Sequence, residues 1–252
     1  SKIYSGISWN NEILVIDNRF LSERVNQLRN WGITFIHGDT LDKALLKKHL
    51  HNSDVVHHLA GITEVPKTSK ESNENINNKI NQVAIEGTQN VIDAMPEKCK
   101  IIFPSTHVVF EGIESSKKEI NEKESTSPIL TYSTGKVNNE DQIKSSRKKY
   151  VILRLGSVYG YSTDTTRLDI MPNLFSKISS QNGVIKLFSG GKQIKSLVPL
   201  LDVARCFKFM EENESINSEI FHVTKDTVTV KEVAEICKKN NSKTTLRETN
   251  DE

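Results

Sequence analysis

Short apolar runs alternate with helical patterns along most of the chain, and nothing else in the sequence restricts the fold as much. Ile13 to Ile16 is a buried-type strand ending in Asp17, and Ser22 could cap a helix running to Asn30. Ile33 to Ile36 reads as a strand, followed by Gly38-Asp39 and a helix from Leu41 to His49. Val55 to Leu59 is a third strand, ending at Ala60-Gly61. Ile76, Ile80, Val83, Ala84, Gly87, Val91, Ile92 and Met95 recur at spacings of 3 and 4, which predicts one long amphipathic helix over 75–95. Ile101 to Phe103 and Val151 to Leu155 are further strands, with a polar stretch and a helix between them. Strands alternating with helices pair in parallel through right-handed crossovers. Continuous apolar strands imply a sheet covered on both faces. The expected fold is therefore a doubly wound α/β sheet. Ligands of such sheets bind beyond the strand C-termini. Asp17, Asp39, Ala60-Gly61, Thr106 and Gly156-Ser157 all fall there, which points to one shared site.

After Tyr159-Gly160 the pattern changes. A helix near 169–180, a strand at 184–188, a Gly190-Gly191 turn and a strand at 194–198 are expected. A helix from Asp202 to Glu211, a strand at 219–223 and a helix from Val230 to Lys239 opened by Thr229 complete the pattern. This is a smaller mixed region, placed as a lid over the same sheet edge. The division expected is 1–160 for the sheet domain with its catalytic helix and 161–252 for the smaller region, incomplete at its C-terminus.

Tyr132 and Lys136 are four apart on one predicted helix, so they share a face one turn apart. A lysine cation there would pull the phenol pKa down from about 10. A tyrosine tuned in this way can shuttle the proton in alcohol–ketone chemistry. Ser105 or Thr106, just beyond a strand end, could hold the substrate oxygen against it. The spacing alone is common on helix surfaces; the order of the surrounding signals gives it weight.

Composition narrows the remaining classes. Net charge is +2, with both signs interspersed, which does not make the basic stripe of a nucleic-acid binder. The densest basic run, Lys144 to Lys149, closes a predicted helix, where cations suit the dipole. Cys99, Cys206 and Cys237 are far apart and form no C-x-x-C, so neither a disulfide framework nor a zinc site is expected, and no other metal site is assigned. No apolar run approaches the length of a membrane span. The reading is cytoplasmic.

Five segments, in order, resemble the extended short-chain dehydrogenase/reductase family, the NAD-dependent epimerase/dehydratase group. They are Val15-Ile16-Asp17, Gly38-Asp39, His58-Leu59-Ala60-Gly61, Ser105-Thr106 with Tyr132-x-x-x-Lys136, and Arg154-Leu155-Gly156-Ser157-Val158-Tyr159-Gly160. Leu197-Val198-Pro199-Leu200-Leu201-Asp202-Val203-Ala204 is a weaker sixth. The resemblance implies a Rossmann-type sheet, NAD as cofactor and a sugar or sugar nucleotide as substrate, with room for a homodimer. It implies that Asp17 accepts from the adenosine ribose, favouring NAD over NADP, while Arg19 could instead greet a 2′-phosphate. Asp39 and Thr40 would lie at the adenine, and Leu59, Ala60 and Gly61 in the turn beside the cofactor. Tyr132, Lys136 and Thr106 would be catalytic, Lys136 also holding the nicotinamide ribose, with Ser105 competing for the hydroxyl role; the spacing to Phe110-Glu111-Gly112 favours Thr106. Ser157 and Lys195 would meet the substrate. His57 and His58, in a buried-type strand, are assigned no chemistry.

The sequence also departs from the family. It has no G-x-x-G-x-x-G loop to cradle a pyrophosphate at a helix N-terminus. Ser1 falls inside the helix that would follow it, so the first strand is expected to be missing, and both ends read as cuts through a larger gene product. Ala84 stands where the family often has Asn, Ser157 where sugar-nucleotide enzymes carry Asn, and Lys195 where an Arg often gives a bidentate fork. His107 and Val108 occupy the places of the dehydratase acids, so water loss is not expected. The alternatives are a non-catalytic cofactor-binding member and an inactive fragment.

Overall fold

The computed structural model describes residues 11–63, 74–113, 119–162 and 166–249. The terminal segments on which the expectation of cut ends rests lie largely outside these. The chain opens with β1 (Leu14–Asp17), α1 (Ser22–Asn30), β2 (Thr34–His37), α2 (Lys43–Leu50) and β3 (Val55–His57). The backbone of Leu21 occupies the N-cap position and Ser22 is the first helical residue, so Ser22 is not the cap expected. Asp42 caps α2 by accepting the N–H of Leu45 at 2.9 Å.

The helix expected over 75–95 forms in three parts. They are α3 (Glu74–Gln82), a π-turn over Val83–Gly87 and α4 (Thr88–Ala94). At Gly87 the π-turn passes so close to the loop after β2 that an added Cβ would sit 2.6 Å from the Thr40 Oγ1. Such turns insert a residue into a helix and recur near functional sites. Here the Ala84 carbonyl accepts from Asn139 Nδ2 at 2.7 Å, tying the π-turn to the later helix over Thr131–Ser145.

β4 (Lys100–Thr106), α5 (Thr131–Ser145) and β5 (Lys149–Leu155) follow, then β6 (Ser157–Tyr159), α6 (Met171–Ser180), β7 (Val184–Phe188) and β8 (Ile194–Pro199). The chain ends with α7 (Leu200–Glu212), β9 (Glu219–Val223), β10 (Asp226–Thr229), α8 (Val230–Asn240) and β11 (Thr245–Thr249). The main sheet is parallel, in the order β3-β4-β5-β9. Residues after 160 therefore return to it through β9. Its two faces are covered as the apolar runs require. Ile101, Phe103 and Ile152 pack with Leu46, Val91, Ile92 and Ile143 of α2, α4 and α5. Ile102, Val151 and Leu153 point the other way, into Val203, Phe207 and Met210 of α7. Lys100 opens β4 nearly buried; its Nζ donates to the carbonyls of Met210 at 2.6 Å and Asn213 at 2.9 Å. A cation thus meets the negative end of α7.

β1 and β2 form a separate parallel pair. Among the described residues, β1 and β3 share no ladder, although Ile16 and Val56 pack on the same core. Among the described residues no strand pairs with both, so the ladder is interrupted between them. The strands beside the interruption are only half-buried, whereas Ile101, Ile102 and Val151 to Leu153 are sealed.

The remaining strands build a second core of Phe175, Ile185, Leu187, Leu197, Val233 and Ala234. β8 lies between β6 and β10, and β11 pairs with β7. Thr229 caps α8 in a reciprocal box with Glu232, fixing the helix start that the sequence placed there.

Candidate active site

β4 and α5 bring the central residues together. Tyr132, Lys136 and Glu140 fall at successive turns of α5, on the side facing the C-terminal end of β4. The Lys136 Nζ donates to the Pro104 carbonyl at 2.8 Å and lies 4.5 Å from the centre of the Phe103 ring. Ser105, 3 % exposed, donates its hydroxyl to Glu140 Oε1 at 2.5 Å. Ser105 therefore faces into the protein. Thr106 ends β4, and its Oγ1 accepts from the Val108 N–H at 3.3 Å, leaving its own proton to donate elsewhere.

The electrostatics differ from the simple expectation of a cation lowering the tyrosine. Burial pushes the Tyr132 phenol above its ordinary 10.0, and the charge that offsets this is Arg167. The Lys136 Nζ stands 5.9 Å from the Tyr132 ring centre, drawn towards Pro104. Burial lowers Lys136 to about 8, and Glu140 holds it from falling further. At neutral pH the lysine keeps its charge and the phenol keeps its proton.

Glu140 is 1 % exposed and forms a two-pronged pair with Arg154 of β5: Nη2 to Oε2 at 2.7 Å and Nε to Oε1 at 3.0 Å. The guanidinium also lies 5.0 Å from the Phe110 ring centre and donates to the Glu122 carbonyl at 3.3 Å. The sequence reading quoted Arg154 only as a motif letter and missed Glu140. The signal was present: Glu140 continues the Tyr132–Lys136 stripe by one more turn.

His107 follows Thr106, and its Nδ1 faces the Leu155 carbonyl at 3.0 Å. A carbonyl only accepts, so Nδ1 carries the proton. Burial lowers its pKa, and Lys195 lies near enough to oppose protonation further. Lys195, exposed on β8, is thus on the His107 side of the site. Ser157 pairs with Leu197 in the neighbouring register. His58 is buried against Thr88 Oγ1 at 2.8 Å, and burial lowers it to about 3. His57 meets Glu211 at 3.1 Å and stacks on Phe207. Both are satisfied groups of the fold.

The remaining sequence-derived residues gather at the ends of β1, β2 and β3. Asp17 Oδ1 accepts the Arg19 N–H at 2.8 Å, shaping the turn after β1. Asp39 accepts from Asn18 Nδ2 at 2.8 Å and from the Leu41 N–H at 2.9 Å, and these bonds, Asn18 first, lower its pKa. One oxygen serves its own loop and the other ties that loop to the one after β1. The Thr40 carbonyl accepts from Asn90 at 3.0 Å. Leu59, Ala60 and Gly61 are exposed, and open space surrounds Gly61. The residues thus suit the two ends of a dinucleotide: acids at β1 and β2, and a cation with a phenol at α5. The described residues offer no glycine-rich turn for a pyrophosphate between them. They include neither a cluster of three metal-ligating side chains nor a helix long and apolar enough to cross a membrane.

Among solved structures, the fold is similar to UDP-glucose 4-epimerase of Thermotoga maritima, solved with UDP-glucose. Identity is 20 %, the match covers 95 % of this chain and 78 % of that one, and the TM-score is 0.78. UDP-glucose 4-epimerase of Thermus thermophilus, in complex with NAD, aligns at 20 % identity over 94 % of this chain and 78 % of that one, with a TM-score of 0.76. The dTDP-glucose 4,6-dehydratase of Streptomyces venezuelae, with NAD bound, aligns at 19 % identity, 94 % and 75 % coverage and a TM-score of 0.76. At these identities the likeness is one of fold. The model of the NAD dependent epimerase/dehydratase family matches residues 7–224. With that match, and with NAD as its cofactor, the chain belongs to the NAD dependent epimerase/dehydratase family.

Proposed function

We propose that this protein oxidises and re-reduces, or simply oxidises or reduces, a hydroxyl-bearing carbon of a sugar or sugar nucleotide, with Tyr132, Lys136 and Thr106 as its catalytic residues. The observation that carries this reading is the convergence of α5 on the end of β4. Lys136 reaches the Pro104 carbonyl and Ser105 reaches Glu140, which supports reading Tyr132, one turn before Lys136, as the partner of Thr106. NAD, when bound, supplies the hydride acceptor. Tyr132 takes the hydroxyl proton of the substrate on its phenolate oxygen in the oxidative direction and returns it in the reductive one. Thr106 donates a hydrogen bond to the same substrate oxygen. Lys136, charged and one turn along the helix, would favour the phenolate as it forms. The raised phenol supports the proton-donating, reductive form in the ligand-free protein.

Asp17 would receive the adenosine ribose, and Ser157 and Lys195 the substrate. Epimerisation is favoured over dehydration because His107 and Val108 stand after Thr106, with no carboxylate there to expel water. The experiment is hydride transfer by the protein and by Tyr132→Phe, with UDP-glucose and NAD⁺ as the probe pair. Loss of turnover with retained NAD⁺ affinity supports the assignment; an equally active Tyr132→Phe removes it.

A further inference from the structure

The helix that carries Tyr132 starts without a cap of its own. Its N-cap is Leu130, an apolar residue whose side chain accepts no hydrogen bond. The free N–H groups at such an end need a partner from elsewhere. Glu111 reaches the entry to this end from the segment after β4. Its Oε1 accepts the N–H of Ile129 at 2.8 Å and the N–H of Leu130 at 2.7 Å. The hydroxyl of Ser133, which is fully buried and adjacent to Tyr132, divides its one proton between the same oxygen and the Leu130 carbonyl at 2.8 Å.

Glu111 is also tied to Thr106. Only a single 3₁₀ turn, His107–Phe110, separates them, and that turn starts on the Thr106 Oγ1. Val109 and Phe110 bury its inner side. Two backbone bonds of 2.8 Å, Ser127 N–H to the Val109 carbonyl and Gly112 N–H to the Ser127 carbonyl, hold its far end. At Gly112 an added Cβ would lie 2.7 Å from the Ser127 carbonyl oxygen, so the two segments meet with no slack. The stretch from Thr106 to Gly112 is thus a short strut, and Glu111 is its contact with α5.

We propose that Glu111 is a positioning residue that sets the separation of the Tyr132 phenol from the Thr106 hydroxyl. It acts by fastening the strut that follows β4 to the first turn of α5. The proposal rests on the reading of Tyr132 and Thr106 as the catalytic pair. It is a matter of reach more than of charge: one oxygen collects three donors, and an amide oxygen at the same place can collect them too. An aspartate keeps the charge but stops one carbon short. Without the fastening, the first turn of α5 frays and water reaches the phenol.

The test reads Tyr132 directly, in the full chain without ligand. Tyrosine labelled with ¹³C at Cζ gives a resonance assigned by its absence in Tyr132→Phe. The charged groups acting on the phenol are Lys136 on its own helix and Arg167 from the segment before α6, and both are unchanged in every variant. The wild-type resonance should titrate above the ordinary 10.0, and Glu111→Gln should titrate with it. Glu111→Ala and Glu111→Asp should fall towards the ordinary value as the phenol is hydrated. Far-UV circular dichroism confirms folding, and Glu111→Asp serves if Glu111→Ala fails to fold. With UDP-glucose and NAD⁺ as probe, the same two variants should lose about 10²-fold in kcat with KM for NAD⁺ unchanged. A Tyr132 resonance that Glu111→Asp and Glu111→Ala leave in place would overturn the proposal, as would a Glu111→Gln that behaves like Glu111→Ala. If the wild type does not turn the probe over, the functional reading fails on that substrate while the titration still decides the role of Glu111.

Discussion

Replacing Glu140 by Gln should cost this protein a large part of its stability. Glu140 and Arg154 are 1 % and 5 % exposed and share bonds of 2.7 and 3.0 Å, with Ser105 adding a third at 2.5 Å. Neutralising the carboxylate leaves a buried guanidinium with the Glu122 carbonyl, 3.3 Å away, and the Phe110 ring. Breaking one side of a buried pair costs about 3–5 kcal/mol, against about 5–15 kcal/mol for a whole domain. The Gln amide oxygen keeps some hydrogen bonding, so about 3 kcal/mol is expected. Arg154→Met alone should cost a similar amount, because it strands the carboxylate. The double variant Glu140→Leu/Arg154→Met should recover to within about 1–2 kcal/mol of wild type, since an apolar pair can replace a buried ion pair at little cost. Urea unfolding at pH 7, followed by circular dichroism, gives the double-mutant cycle. Additive losses in the double variant, or single variants within about 0.5 kcal/mol of wild type, would show that the pair does not act as a coupled buried ion pair.

Lys136→Met should stabilise the fold at pH 7 while harming function, because the charged lysine is held where burial opposes it. Its folded pKa of about 8 lies below the unfolded 10.5, so the unfolded chain holds more protons in that window. The contribution of Lys136 to stability should therefore rise with pH from about 8 to 10.5, by up to about 3 kcal/mol, and it is read as the difference between wild type and Lys136→Met, because the raised Cys99 and Tyr132 act in the opposite direction in both proteins. Denaturation midpoints across that range check both statements. Asp17→Ala should narrow the preference for NAD over NADP, since it removes the carboxylate that opposes a 2′-phosphate. Binding of the two cofactors by calorimetry measures it, and a wild type that prefers NADP would assign the pocket to Arg19.

The parts of the fold that were legible in the sequence are those built from local periodicity. The run Val151 to Leu155 reads as a strand because both of its faces are buried, and β9 and α8 were placed to within a residue for the same kind of reason. Strands β6 and β10 were not read: three and four residues long, they exist through their pairing with β8. The π-turn at Val83–Gly87 keeps helical spacing on the page, and only its packing against Thr40 and Asn139 distinguishes it. At the site, the Tyr132–Lys136 spacing was visible, but the direction of the Tyr132 shift was not, because it depends on burial and on Arg167 from a distant segment. Ser105 and Thr106 look interchangeable as letters; their opposite directions follow from strand alternation and from Glu140. Glu111 meets the entry to α5 across 18 and 19 residues of chain and Ser133 within it across 22, separations that no local pattern encodes.

The role proposed for Tyr132 is to move the proton of a reversible alcohol–ketone reaction. Tyr132→Phe keeps the ring and its packing and removes only the titrating oxygen. Single-turnover hydride transfer, followed by nicotinamide absorbance with UDP-glucose and NAD⁺, measures the step itself, and calorimetry measures NAD⁺ affinity in the same preparations. The expected result is a loss of about 10²–10⁴ in rate with little change in affinity, and a smaller loss in Thr106→Val. Hydride transfer in Tyr132→Phe at the wild-type rate would contradict the account.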